Sequence, residues 1–110
     1  MIFPSPLRYP GGKRKLARFI ADTIVENGMA GGVYVEPFAG GASVALTLLF
    51  QEYVNKVIIN DLDRSIYAFW HVVINDTERL CRRIADTAIT VEEWERQREV
   101  QLAKDTADLL

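Results

Sequence analysis

The sequence predicts an α/β fold: a parallel β–α–β unit followed by a helical segment. Three observations carry that prediction. A short apolar run, Val33-Tyr34-Val35, leads through Glu36-Pro37 into the glycine turn "FAGGAS", Phe38 to Ser43. The stretch "VALTLLF" that follows is apolar nearly all round, as expected of a helix packed on a sheet. A second run, "KVIIN" (Lys56 to Asn60), is continuously apolar through its middle, the pattern of a parallel strand covered on both faces. Strand, glycine turn, buried helix and strand make a right-handed β–α–β unit.

The flanking elements follow from the same rules. Leu16, Phe19, Ile20 and Ile24 recur at spacings of three and four, so the first helix turns that face inward. Gly28 stands where that helix should stop, and Gly31-Gly32 extends the loop. Proline at 37 ends the first strand, because it cannot donate to a central ladder. Ser43 is placed to cap the second helix and Asp63 a third, which carries Ile66, Tyr67, Phe69, Trp70 and Val73. Beyond Asn75 two polar helices are expected, roughly 78–85 and 91–103. Thr90 and Glu93 offer a capping box to the second of them. The expected organisation is an α/β unit over 1–75 and a helical region over 76–110.

Bulk properties narrow the setting. A chain of 110 residues, 49% hydrophobic and 25% charged, has the composition of one globular domain or part of a larger one. Its single cysteine, Cys81, cannot form an internal disulfide, which suits a reducing cytoplasm. No apolar run approaches the ~20 residues of a membrane span, and the opening residues lack the pattern of a secretion signal. Charge is distributed unevenly. The first 21 residues carry +5 and the remainder −7, so one end offers a face for an anion or nucleic acid. A solvated cationic helix end is the plain alternative.

Chemistry concentrates where strand meets helix. Glycines there let backbone approach a ligand closely, and the helix amino end favours negative charge. "AGGAS" lacks the full G-x-G-x-x-G fingerprint and has no Gly-Lys-Ser/Thr, which excludes a P-loop. Asp61 closes the second strand, 20 positions after Gly41. In nucleoside-binding β–α–β units an acid at about that distance accepts hydrogen bonds from ribose hydroxyls. An Asp that merely ends a strand is the competing reading.

Three stretches taken together resemble the Dam-type family of DNA adenine methyltransferases. They are "RYPGGK" (Arg8 to Lys13), "EPFAGGAS" (Glu36 to Ser43) and "IINDLD" (Ile58 to Asp63), in the family's order and spacing. The resemblance implies a Rossmann-like S-adenosylmethionine-dependent methyltransferase fold, here incomplete, followed by the start of a helical target-recognition insert. It implies S-adenosylmethionine as cofactor, double-stranded DNA as partner, and methylation of the exocyclic amino group of adenine. Carried over residue by residue, it places Tyr9 and Lys13 against the cofactor, with Lys13 facing the methionine carboxylate. Phe38 and Gly40 would line the cleft, and Asp61 would face the ribose. Arg14, Lys15 and Arg18 receive no cofactor role; duplex phosphates and plain solvent stand as equal alternatives. The family's second loop glycine falls on Ala42, where a positive φ would oppose a methyl group.

The family's Asp-Pro-Pro-Tyr-like motif, whose carboxylate and aromatic ring serve the flipped adenine, has no counterpart here. The four prolines, Pro4, Pro6, Pro10 and Pro37, are never adjacent. The expectation is therefore an amino-terminal fragment without turnover of its own, whose open sheet edges favour self-association. A non-catalytic cofactor-binding remnant, one half of a split methyltransferase and a dinucleotide-binding domain are the alternatives. His71 reads as structural or surface, Tyr67 and Trp70 as core, and Arg79, Arg82 and Arg83 as a solvated face. No spacing supports a metal site.

Overall fold

The computed structural model describes residues 5–7 and 14–103. The chain forms two compact units, Met1–Leu62 and Asp63–Leu110. The boundary expected near Asn75 falls at a helix–helix junction inside the second unit.

In the first unit a single 3-10 turn, Arg14–Leu16, leads into helix α1, Ala17–Glu26. Strand β1, Val33–Glu36, is followed by helix α2, Ser43–Phe50, and strand β2, Lys56–Ile59. The strands pair in parallel, with Val33 beside Lys56, Tyr34 beside Val57, Val35 beside Ile58 and Glu36 beside Ile59. This is the β–α–β unit expected from the sequence, and β1 ends at the residue before Pro37.

α1 ends as a glycine stop should. Gly28 takes φ +67, its N–H donates to the Val25 carbonyl at 3.0 Å, and the Met29 N–H reaches the Ile24 carbonyl at 3.0 Å. That pair of bonds is the Schellman arrangement, and the left-handed residue within it favours glycine. The inward face differs from the expected one. Ala17 and Ala21 are buried, and Ile20 and Ile24 pack against them, whereas Leu16 and Phe19 are exposed. Weighting by size misplaced the stripe. Two alanines let α1 approach α2 closely, and the larger Phe19 is turned to solvent.

The core is Ala17, Ala21, Val44, Leu48 and Val54, with Ile20, Ile24, Tyr34, Tyr53 and Val57 packed on it. All of it lies on one face of the sheet, the face of Tyr34 and Val57. The opposite face is open: Val33 and Val35 are each 58% exposed and Ile58 46%. The expectation of strands covered on both faces is corrected here, because α1 and α2 both pack on the same side.

Ala42 precedes α2 with φ 54 and ψ 28, and no side chain caps that helix. Ser43 is the helix's first residue instead of its cap. Left-handed backbone costs an L-residue about 1–2 kcal/mol, and here burial of the Ala42 methyl offsets it.

The second unit holds α3 (Arg64–Asn75), α4 (Thr77–Asp86) and α5 (Val91–Ala103), with α3 in contact with α4. Asp63 caps α3 as expected, accepting from the N–H groups of Ser65 at 2.8 Å and Ile66 at 3.4 Å. The capping box of α5 is half made. The Glu93 N–H donates to Thr90 Oγ1 at 3.1 Å, but the Glu93 carboxylate turns to Arg96 and Gln97. Trp70 is buried, while Tyr67 is exposed and stacks on His71 with centroids 5.8 Å apart, which corrects its expected place in the core. Arg79, Arg82 and Arg83 are all exposed.

Candidate functional site

The glycine turn and the strand-end acid, distant in sequence, meet at the carboxyl ends of β1 and β2. Pairing continues past the strands proper: the Asn60 N–H donates to the Glu36 carbonyl at 2.9 Å, and the Ala39 N–H to the Asn60 carbonyl at 2.9 Å. These bonds draw the turn across the end of β2. Asp61 then accepts the Gly40 N–H on Oδ2 at 2.8 Å. Asp61 sits two residues beyond the end of β2, where the sequence placed it on the strand's last residue.

Gly40 holds φ +52 and is buried. That left-handed conformation aims its N–H at Asp61, and glycine adopts it without the steric cost of a Cβ. Two residues on, the Ala42 N–H closes the turn on the Ala39 carbonyl at 2.7 Å, with Ala42 itself at positive φ. The concern raised by alanine at this position is thus met directly, since the backbone takes the left-handed form with the methyl in place. Phe38, at the rim of the turn, is 67% exposed. Phe38, Gly40 and Asp61 therefore belong to one end of the sheet. Tyr9 and Lys13 lie outside the described residues.

Sequence reasoning passed over Glu36. It is the last residue of β1, 7% exposed, with Tyr34 Oη donating to its Oε2 at 2.5 Å. Burial first, then the hydrogen bond to Glu36 and the negative charge of that carboxylate, raise the Tyr34 phenol well above the ordinary tyrosine range. The proton therefore stays on Tyr34, and the hydroxyl is the donor. A signal was present in the sequence: positions 34 and 36 point to the same face of a strand, and an acid before a strand-ending proline reaches the strand's carboxyl end. In open α/β sheets that end is where ligands bind.

The acceptor set is two carboxylates, Glu36 and Asp61, flanking a turn whose two glycines are themselves buried. It suits a ligand carrying hydroxyls and positive charge. It does not suit a polyphosphate, which two carboxylates would repel. Among the described residues no group of His, Cys, Asp and Glu could hold a metal ion. Arg18, near the amino end of α1, is already engaged with Asp22, its Nε donating to both carboxylate oxygens at 3.1 and 3.3 Å.

The sequence model of the family described as D12 class N6 adenine-specific DNA methyltransferase matches residues 9–103. A type II methyltransferase of Methanocaldococcus jannaschii, M.MjaIII, is 30% identical over 96 residues, which cover 83% of this chain. The match takes in 33% of that protein, so the chain spans about a third of the relative's length. No solved structure matches.

Proposed function

The chain belongs to the D12 class N6 adenine-specific DNA methyltransferases, and from that premise we propose that it is their cofactor-binding part, with a Rossmann-like fold left incomplete. The observation that carries the reading is the 2.8 Å bond from the Gly40 N–H to Asp61. It joins into one site the two features that a nucleoside-binding β–α–β unit needs.

The proposed ligand is S-adenosylmethionine, which supplies an activated methyl group for transfer to the adenine amino nitrogen. Asp61 faces the ribose hydroxyls, its carboxylate already oriented by the Gly40 N–H. Gly40 and Phe38 line the cleft. Glu36 offers its charge to the cationic ammonium of the methionine part, and Lys13 its charge to the carboxylate, with Tyr9 beside it. Binding by these residues orients the ligand; polarisation of the adenine amino group requires the Asp-Pro-Pro-Tyr-like motif, which this sequence does not contain. The chain alone is accordingly proposed to bind cofactor without methylating DNA. Double-stranded DNA is the partner of the complete enzyme, residues 76–110 begin its helical target-recognition region, and the cytoplasm is the proposed location. No helix among the described residues is long and apolar enough to cross a membrane.

The test is calorimetric titration of the chain with S-adenosylhomocysteine, repeated in excess NAD, alongside a methyl-transfer assay on duplex DNA. Saturable binding that NAD leaves unchanged, with no transfer, is the expected outcome. Displacement by NAD would favour a dinucleotide site, and transfer by the 110-residue chain would refute the fragment reading.

A further inference from the structure

Tyr34 and Glu36 are two residues apart on β1, so their side chains share one face of the strand about 7 Å apart along it. That face is the covered one. The Tyr34 ring packs on the cluster of Ala17, Ala21, Val44, Leu48 and Val54, which fixes the ring from the core side. Its hydroxyl reaches Glu36 Oε2 at 2.5 Å, within the range of a charge-assisted O–H···O⁻ bond. Glu36 itself is buried at the end of the strand, beside the glycine turn whose first backbone bond, from the Asn60 N–H, is to the Glu36 carbonyl. A ring packed on the core is a rigid donor, and its hydroxyl adds a directed bond to the Glu36 carboxylate.

We propose that Tyr34 is a positioning residue of the cofactor site: its hydroxyl fixes the Glu36 carboxylate at the carboxyl end of β1 in the orientation that receives a cationic group of the ligand. The inference rests on the reading of the site given above and adds to it a residue whose ring belongs to the core while its hydroxyl serves the ligand. Tyr34 acts on the amino-acid half of the ligand and leaves the nucleoside half to Asp61 and Gly40. That division makes the role separable from a general effect on folding.

The experiment compares two ligands on the full chain by calorimetry: S-adenosylhomocysteine, which carries the ammonium, and 5′-methylthioadenosine, which has the same nucleoside without it. Tyr34→Phe keeps the ring and its packing and removes only the donor. Loss of one bond to a charged group should weaken S-adenosylhomocysteine about tenfold and leave methylthioadenosine within about twofold. Glu36→Gln should weaken S-adenosylhomocysteine in the same selective way. Tyr34→Phe added to Glu36→Gln should then cost nothing further, because the two side chains act as one unit. Unchanged affinity for S-adenosylhomocysteine in Tyr34→Phe, equal weakening of both ligands, or additive effects in the double variant would each overturn the positioning role while the site reading stands. A wild-type chain that binds neither ligand would overturn the site reading, and this inference with it.

Discussion

At the residue scale the site depends on single side chains that do two things at once. Asp61 orders the glycine turn through Gly40 and is also the proposed ribose acceptor. Asp61→Ala removes the acceptor of a buried N–H and should cost about 1.5–3 kcal/mol of stability, together with cofactor affinity. Asp61→Asn keeps an acceptor oxygen and should cost less on both counts. Urea unfolding and titration with S-adenosylhomocysteine measure the two effects, and equal stability of the Ala variant and wild type would show that the bond is not structural. Tyr34 gives a pH dependence with a definite sign. Folding raises its phenol above the ordinary value of 10.0, so the folded chain holds that proton more tightly than the unfolded one. The contribution is fully present below pH 10.0 and is lost as pH rises through the folded-state value. Alkaline unfolding of wild type should therefore steepen above that range, and Tyr34→Phe should lose this component. The sequence made Asp61 legible by its distance from the glycine turn. It also carried Glu36, but an acid beside a proline is such an ordinary strand ending that its charge passed for punctuation.

At the scale of elements, the sequence pattern locates the five α-helices and both strands among the described residues, and the differences concern which face α1 and the strands present. Large residues dominate the apolar spacing of α1, yet alanines at 17 and 21 form the contact, since close approach of two helices rewards small side chains. For the strands, "KVIIN" has no alternation to read, so a sheet open on one face looks the same as one covered on both. α2 shows where stability resides. Leu48 is fully buried, and Leu48→Ala should cost about 2–5 kcal/mol in thermal or urea unfolding. Ala42→Val puts a β-branched side chain on left-handed backbone in a buried turn and should cost more than about 2 kcal/mol, whereas Ala42→Gly should stay within about 1 kcal/mol because relieved strain offsets the lost methyl. A tolerant Ala42→Val would mean that the turn can adopt another conformation.

At the scale of the molecule, the first unit is a helix-backed parallel pair whose second face exposes Val33, Val35 and Ile58. Apolar surface of that kind drives association, and we expect the sedimentation coefficient of the chain to rise with concentration and Ile58→Lys to suppress the rise. A concentration-independent monomer would show that the open face is tolerated in water. The functional account itself depends on one place, the turn between β1 and α2 where Gly40 meets Asp61. The measurement that tests it most directly is the amide NMR spectrum of the chain titrated with S-adenosylhomocysteine. The Gly40 amide, with those of Glu36, Phe38 to Ala42, Asn60 and Asp61, should shift saturably, while amides of Gly31 and Gly32, at the opposite end of β1, stay in place. Shifts that spare Gly40 and Asp61, or none at saturating ligand, would contradict that account.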